Sequence, residues 1–176
     1  MEWTTELRYK RYEDWTEEEK KQIKENMAKS PWHTHYHVEP TSGLLNDPNG
    51  FSYFDGKWIL FYQNFPFGAA HGLKSWVQLE SDDLVHFNET GVKVLPDTPL
   101  DSHGAYSGSA MQFDDKLFLF YTGNVRDENW IRHPYQIGAL MDKEGKIEKI
   151  NKILIDQPGD STDHFRDPQI FNFKGQ

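Results

Sequence analysis

One β-hairpin pattern recurs along the chain and limits the folds that it can adopt. In each copy, two aromatic and β-branched runs flank a short turn, a pattern that predicts two antiparallel strands. The copies occupy residues 51–62, 110–121 and 170–175, with turns at Asp55-Gly56, Asp114-Asp115 and Lys174-Gly175. The turns lie about 60 residues apart, a spacing typical of the four-stranded blades of a β-propeller.

Four further runs predict the remaining strands of two blades. They are residues 74–79, 92–95, 137–141 and 152–155. Known propellers close with about four to eight blades, whereas this chain offers two blades and the first strand of a third. A strand at 170–173 without a partner would also leave an open sheet edge, which natural domains avoid. We therefore predict an all-β chain that is the N-terminal part of a longer protein.

A short helix is predicted before the first strand. Thr16 is suited to be its N-cap, and Glu19 stands three residues later, the spacing of a capping box. Pro31 ends the helical pattern. The helix carries charges typical of a solvated face, and we assign it no chemistry. The chain is thus divided into a helical segment, residues 1–31, and the propeller part, residues 32–176.

Charge and composition exclude several classes of function. The chain has 28 Asp and Glu against 19 Lys and Arg, a net charge of -9, which is the wrong sign for a nucleic-acid partner. It has no Cys, so thiol nucleophiles, thiolate metal sites and disulfides are excluded. Residues 1–10 are charged and contain no apolar run, so we expect neither a signal peptide nor a membrane span, and we expect a cytoplasmic location.

Two Asp-Pro pairs precede hairpin copies. Asp47-Pro48 lies in the run 45–50, Leu-Asn-Asp-Pro-Asn-Gly, and Asp167-Pro168 stands before the third copy. Taken alone, the first run is also typical of a turn, because each of its polar residues and its glycine favours one. In a propeller, however, equivalent strand entries converge on the central axis, which predicts that the two carboxylates face one cavity. The adjacent Arg166 is expected to keep Asp167 ionised.

These motifs, with several others in order, resemble glycoside hydrolase family 32, the β-fructofuranosidases that include invertases, inulinases and sucrose-6-phosphate hydrolases. The matching runs are 37–40 (His-Val-Glu-Pro), 43–50 (Gly-Leu-Leu-Asn-Asp-Pro-Asn-Gly), 61–63 (Phe-Tyr-Gln), 75–76 (Ser-Trp), 81–87 (Ser-Asp-Asp-Leu-Val-His-Phe), 106–110 (Tyr-Ser-Gly-Ser-Ala) and 165–168 (Phe-Arg-Asp-Pro). Several spaced motifs in the right order are far more specific than any one of them.

The resemblance implies a five-bladed β-propeller followed by a β-sandwich, of which this chain covers about two blades and the start of a third. It also implies a retaining glycosidase that hydrolyses terminal β-D-fructofuranosides, with sucrose 6-phosphate or sucrose as the favoured substrate. Asp47 would be the nucleophile and Asp167 the stabiliser of an oxocarbenium-like transition state. No metal or other cofactor and no partner besides the sugar is implied.

The resemblance also implies a set of substrate-binding residues. They are Leu44, Leu45, Asn46, Gln63, Trp76, Tyr106, Ser107 and Arg166. For two of them an ordinary structural role stays open. Trp76 could be a core aromatic side chain of a sheet, and Gln63 a polar residue at a strand end.

The acid/base of the resembling family is missing from the chain. That residue is a Glu followed by Cys in the next blade, and this sequence has no Cys. Six glutamates lie outside this Glu-Cys motif and are expected to be solvated charges: Glu39, Glu80, Glu89, Glu128, Glu144 and Glu148. Loss of a general acid alone removes a factor of about 10² to 10⁴ in rate, so we expect the isolated 176-residue polypeptide to be inactive.

Other readings stay open. His33, His35 and His37 alternate, so a strand would place them on one face, where a metal is conceivable. Cationic candidates for a phosphate contact are Arg126, Arg132 and His133. The alternatives to a fructosidase are a fructoside-binding propeller module without turnover, and a related five-bladed glycosidase that acts on arabinan.

Overall fold

The computed structural model describes residues 2–174, which form two four-stranded antiparallel sheets behind a short helical segment. The helical elements are α1 (Thr5–Arg8), a 3₁₀ turn (Tyr12–Asp14) and α2 (Glu17–Ala28). The first sheet contains β1 (Leu44–Phe54), β2 (Lys57–Phe65), β3 (Ser75–Ser81) and β4 (Asn88–Val94). The second contains β5 (Ala105–Phe113), β6 (Lys116–Arg126), β7 (Arg132–Met141) and β8 (Ile147–Lys149). Both sheets are ordered as the chain runs, and the predicted all-β character is confirmed.

The predicted helix is α2, and its capping box is present. The backbone N–H of Glu19 donates to the Thr16 hydroxyl over 3.2 Å, while the backbone N–H of Thr16 donates to the Glu19 carboxylate over 2.7 Å. These bonds satisfy amide groups that the first helical turn leaves without a partner. Among residues 2–174, no helix is long and apolar enough to cross a membrane.

The first two predicted hairpins are confirmed as β1–β2 and β5–β6. Asp55 and Gly56 have φ values of 48° and 83°, and Asp114 has a φ of 52°. Positive φ angles at the turn give the connection a twist that matches the right-handed twist of the flanking strands. The local chemistry of the turns therefore fixes both hairpins.

Two predicted strands are wrong. Residues 152–155 do not form the fourth strand of the second sheet, which is β8, because the chain reverses directly after β7 at Gly145, whose φ is 76°. Ile155 contributes one isolated bridge to Gln136. Residues 170–173 are not in a strand either, since no strand of residues 2–174 pairs with them. Gly175, in the third predicted turn, lies outside the described residues.

The core lies between the two sheets, where β1 packs against β5. Its centre includes Trp76, whose ring centroid is 5.7 Å from that of Tyr121 on the second sheet. Beside it, the carboxylate of Asp101 has no solvent exposure. It accepts hydrogen bonds from the Tyr121 hydroxyl over 2.9 Å and from Lys149 over 2.5 Å. This carboxylate links the connection between the sheets to two strands of the second one.

The N-terminal segment packs onto the end of the first sheet. The Trp15 ring stacks on Phe67 with centroids 4.3 Å apart, and the carbonyl of Arg8 accepts a 2.7 Å bond from the Leu73 amide. Arg11 donates to the carbonyl oxygens of Pro96 and Ser102, on the connection between the sheets. These contacts hold the segment that contains Arg8 and Tyr9 beside the strands described next.

Candidate active site

A β-bulge in β1 displays the first predicted carboxylate. Leu45 pairs with Asn64 and Pro48 with Tyr62, so the two residues between them, Asn46 and Asp47, face only Gln63 on β2. Two residues opposite one define a bulge, which bends the strand and redirects its side chains. The motif that alone suggests a turn is therefore part of a strand, with its Asn-Asp step at the bulge.

A second bulge occupies the equivalent place in β5. Ala105 pairs with Gly123 and Gly108 with Tyr121, which leaves Tyr106 and Ser107 opposite Thr122. Gly108 closes this bulge, and a Cβ there would overlap the carbonyl oxygen of Phe120. Only glycine fits so close a backbone approach. The first strand of each sheet thus has a bulge of two adjacent residues at an equivalent place, Asn46-Asp47 in β1 and Tyr106-Ser107 in β5.

Asn49 joins the two bulges. Its amide nitrogen donates to the Asp47 carbonyl oxygen over 2.9 Å, and its amide oxygen accepts from the Gly108 N–H over 3.0 Å. The Asn49 side chain is 4% exposed, so both bonds are shielded from competing water. The second Asn of the Asn-Asp-Pro-Asn-Gly run thereby fixes Asp47 against the second sheet.

Asp167 reaches the same region from beyond β8. Its φ is 63°, a left-handed conformation that is uncommon outside glycine. Its backbone N–H donates over 2.9 Å to the hydroxyl of Thr122, the residue that faces the second bulge. The neighbouring Pro168 carbonyl accepts a 2.9 Å bond from Ser109 of β5. The strained residue is thus held by side chains of the second sheet.

These elements enclose a polar cavity of about 360 Å³. Its lining consists of Arg8, Tyr9, Asn46, Asp47, Gln63, His71, Gly72, Lys74, Tyr106, Ser107, Arg132, Arg166 and Asp167. The structure therefore brings both carboxylates singled out from the sequence into one cavity, together with five of the eight residues in the substrate-binding set.

A chain of hydrogen bonds orients the Asp47 carboxylate. The amide of Gln63 donates to the Ser107 hydroxyl over 2.5 Å, and that hydroxyl donates to Oδ2 of Asp47 over 2.6 Å. Gln63 is 3% exposed, and buried polar groups of this kind are costly unless they are satisfied. One carboxylate oxygen is thus held by Ser107.

The charge of Asp167 is set by opposing influences. Burial has the largest effect and raises the pKa of Asp167 above its ordinary value, and the nearby Asp47 carboxylate raises it further. The Arg166 guanidinium, with Nε 3.3 Å from Oδ2 of Asp167, lowers that pKa but does not offset the rise. Arg166 therefore acts as expected from the sequence, yet burial determines the direction of the net shift.

The sequence analysis did not identify Lys74 and His71, which also line the cavity. Lys74 is 6% exposed and donates to the side-chain oxygen of Asn46. Burial lowers the pKa of Lys74 to about 8, against the attraction of Asp47. The charge of Lys74 in turn lowers the pKa of His71. The available signal was a lysine at the start of the predicted strand 74–79, where a buried charge would need a partner.

Arg8 and Tyr9 were also missed, because no local motif marks them. Both belong to the N-terminal segment, and they reach the cavity through tertiary contacts such as the bond between the Arg8 carbonyl and Leu73. Helix α2 contributes no residue to the lining of this cavity. The segment nevertheless contributes to the cavity through the residues around α1.

Three residues of the substrate-binding set lie away from the cavity. Leu44 packs against the cluster of Trp15, Phe65 and Phe67, and Leu45 packs beside a second apolar cluster. Trp76 has no solvent exposure and belongs to the core, which is the alternative left open above. Its indole N–H donates to the Tyr106 carbonyl over 3.0 Å, so its link to the cavity is the backbone that it fixes.

The alternating histidines do not form one face. Residues 33–37 are not in a strand, and His33 pairs with Glu39 over 2.8 Å. No group of three or more His, Cys, Asp or Glu side chains within residues 2–174 is arranged to hold a metal ion. The larger cavity of about 810 Å³ beside this loop is lined by neither Asp47 nor Asp167, so we place the candidate site at the bulges.

Comparison with known proteins identifies the family to which the chain is similar. Residues 37–176 match the model of the glycosyl hydrolases family 32 N-terminal domain. The sucrose-6-phosphate hydrolase of Streptococcus mutans serotype c is 72% identical over 97% of this chain and 36% of its own length. That of Lactococcus lactis subsp. lactis is 55% identical over 100% of this chain and 37% of its own length. The chain thus spans little more than a third of these curated relatives.

Solved structures give the same result. Sucrose-6-phosphate hydrolase from Lactobacillus gasseri superposes with a TM-score of 0.96 at 50% identity, over 99% of this chain and 36% of that chain. A Bombyx mori family 32 β-fructofuranosidase superposes with a TM-score of 0.74 at 31% identity, over 91% of this chain and 35% of that chain. A mutant of that enzyme has been solved in complex with sucrose.

Proposed function

Because the chain belongs to glycosyl hydrolases family 32, we propose that the complete protein is a retaining β-fructofuranosidase that hydrolyses sucrose 6-phosphate and sucrose. The observation that carries this proposal is the convergence of Asp47 and Asp167 in one cavity. The relatives named sucrose-6-phosphate hydrolases support the phosphorylated substrate.

In this proposal Asp47 attacks the anomeric carbon of the fructosyl group. The Ser107 hydroxyl donates a hydrogen bond to Oδ2 of Asp47, so Oδ1 is the attacking atom. The bond to the leaving sugar breaks as a covalent fructosyl–enzyme ester forms, and water then hydrolyses the ester with retention of configuration. The ionised Asp167 stabilises the positive charge that develops on the ring in each transition state.

The leaving oxygen needs a proton from a carboxylic acid. A retaining glycosidase has this group about 5 Å from the nucleophile. No glutamate of this sequence is followed by Cys. We therefore place the acid in the part of the complete protein that corresponds to the unmatched length of the relatives.

As part of the same proposal, the two sheets are blades of a five-bladed propeller, and the protein works in the cytoplasm, where sugar phosphates occur.

The direct test is to assay the complete protein for release of reducing sugar from sucrose 6-phosphate, sucrose and an aryl arabinofuranoside. Hydrolysis of the fructosides with none of the arabinofuranoside supports the proposal. Binding of fructosides without turnover would instead identify a sugar-binding module, and turnover of the arabinofuranoside alone would identify an arabinan-acting glycosidase.

Replacing Arg166 with glutamine is expected to shift the acid limb of the pH profile to higher pH. Asp167 must be ionised to stabilise the transition state, so activity falls as the pH drops through its pKa. Arg166 lowers that already raised pKa, and its removal lets the pKa rise further. The measurement is kcat/KM against pH in the complete protein, with the exposed Lys152→Gln as control. An acid limb that stays in place, or moves to lower pH, contradicts the assignment.

A further inference from the structure

The candidate cavity carries an excess of positive charge in an acidic chain. Four cationic side chains, Arg8, Lys74, Arg132 and Arg166, line it with only two carboxylates, whereas the whole chain has a net charge of -9. A cleft lined by one sign of charge attracts ligands of the opposite sign. A neutral disaccharide gives no reason for this excess, whereas an anionic group on the substrate does.

Arg132 is the cation in this cavity whose hydrogen-bonding capacity is least used. Its side chain is 14% exposed, and its Nε and Nη1 atoms are buried without a hydrogen-bond partner among residues 2–174. The nearest carboxylate oxygen, on Asp163, lies 3.7 Å from Nη1, too far for a hydrogen bond. Buried charged donors are costly when they are unpaired. An anionic ligand that accepts hydrogen bonds from Nε and Nη1 of Arg132 would remove this cost.

The other cations of the cavity already have partners. Lys74 donates to the Asn46 side chain, Arg166 pairs with Asp167, and Nε of Arg8 donates to the Trp3 carbonyl over 3.0 Å. Arg132, in contrast, contacts the face of an aromatic ring, with its guanidinium carbon 5.8 Å from the centroid of Tyr106. Stacking of this kind orients a guanidinium without consuming its N–H donors.

Arg132 lies beside the residues that support the nucleophile. Tyr106, which it contacts, is adjacent to Ser107, and Ser107 holds the Asp47 carboxylate. In sucrose 6-phosphate the phosphate is on the glucosyl part, which departs from the carbon that Asp47 attacks. Because Arg132 contacts the residue next to Ser107, its guanidinium lies on the cavity wall beside the nucleophile, where the bond to the departing sugar breaks.

We propose that Arg132 is the specificity-determining residue that binds the phosphate group of a phosphorylated hexosyl leaving group. The proposal rests on the function proposed above and names the part of the substrate that this side chain recognises. Arginine suits the task because its planar N–H donors match phosphate oxygens and its charge persists at every physiological pH.

The two other cationic candidates from the sequence lie elsewhere. Arg126 pairs with Arg132 across β6 and β7, and its Nε is likewise buried without a hydrogen-bond partner among residues 2–174. Nη1 of Arg126 donates to the Trp130 carbonyl over 2.9 Å, and His133 faces Asp127 over 3.2 Å. Neither lines the cavity. Arg126 is thus a matched control, with the same side chain on the adjacent strand.

The test compares wild-type protein with Arg132→Gln, Arg132→Lys and Arg126→Gln in the complete protein. For Arg132→Gln, kcat/KM for sucrose 6-phosphate is expected to fall about 10- to 100-fold, as when a charge-assisted hydrogen bond is lost, and kcat/KM for sucrose much less. Arg132→Lys should fall between wild type and Arg132→Gln, because it keeps the charge but loses the planar donors. Arg126→Gln should keep the wild-type preference.

Binding gives a second readout that does not depend on turnover. In an Asp47→Asn background, titration calorimetry should show an increase of about 10- to 100-fold in the Kd of sucrose 6-phosphate on adding Arg132→Gln, and a much smaller change for sucrose. Equal losses for both sugars, or no loss for either, would overturn the proposal. If the wild-type protein hydrolyses neither sugar, the proposed function fails instead, and these binding constants still decide the role of Arg132.

Discussion

The variant Asp47→Asn of the complete protein is expected to lose sucrose 6-phosphate and sucrose hydrolysis by a factor on the order of 10⁴ to 10⁶ in kcat, as when a residue of a covalent catalytic unit is removed. Asparagine has the shape of aspartate but cannot form the covalent ester. The amide still reaches Ser107, whose hydroxyl lies 2.6 Å from the carboxylate in the wild type. The fold and the binding of sugar should therefore persist, and single-turnover kinetics measures the loss.

The matched control is Asp82→Asn, the same substitution on an exposed turn, which should retain wild-type kcat. Circular dichroism and thermal melting of both variants separate loss of chemistry from loss of structure. Retention by Asp47→Asn of more than about one tenth of wild-type kcat would show that another group is the nucleophile, since removal of a nucleophile costs far more than this.

The second large effect concerns stability. Asp101→Ala is expected to lower the free energy of unfolding by about 3 to 5 kcal/mol, the usual cost of removing one partner of a buried ion pair. The Asp101 carboxylate is fully buried and accepts from Tyr121, Lys149 and the backbone N–H of Thr98. Alanine would leave the Tyr121 hydroxyl without an acceptor inside the second sheet. Urea denaturation of the complete protein measures the change.

Asp97→Ala is the control for this effect. Asp97 contacts the same Lys149 over 2.6 Å, but its side chain is 61% exposed, and exposed ion pairs contribute about 0 to 1 kcal/mol. A loss in the free energy of unfolding below about 1 kcal/mol in Asp101→Ala, equal to that expected for Asp97→Ala, would mean that Asp101 does not anchor the connection between the sheets to the second sheet. Asp101→Asn, which keeps one acceptor oxygen, should fall between the two.

Features governed by neighbouring residues could be predicted from the sequence. Turn chemistry at Asp55-Gly56 defines the first hairpin, and the Thr16–Glu19 spacing defines the start of α2. The meeting of Asp47 and Asp167 could be anticipated as well, because their Asp-Pro motifs stand at equivalent places before the predicted hairpin copies, although the third copy is not a strand. The family resemblance rests on the same local motifs, and the family-model match over residues 37–176 confirms it.

Features governed by strand register and tertiary contact could not be predicted from the sequence. A bulge inserts one residue and so changes which side chains face the cavity. No residue type in the sequence predicted the bulges at Asn46-Asp47 and Tyr106-Ser107. Leu44 and Leu45, which the family resemblance assigns to substrate binding, pack in apolar clusters instead. The apolar run 152–155 looked more strand-like than β8, yet the turn at Gly145 placed β8 next to β7 first.

The anchoring of the N-terminal segment has a consequence for how the protein is made. Arg11 is bonded to Pro96 and Ser102, which lie 85 and 91 residues further along the chain. At about 5 to 20 residues per second, the ribosome needs roughly 5 to 20 s to synthesise that stretch. Arg8 and Tyr9 therefore leave the ribosome before the first sheet, but the segment that contains them is anchored only after that whole sheet has emerged. The wall of the cavity that is translated earliest is thus held by residues that are translated well after it.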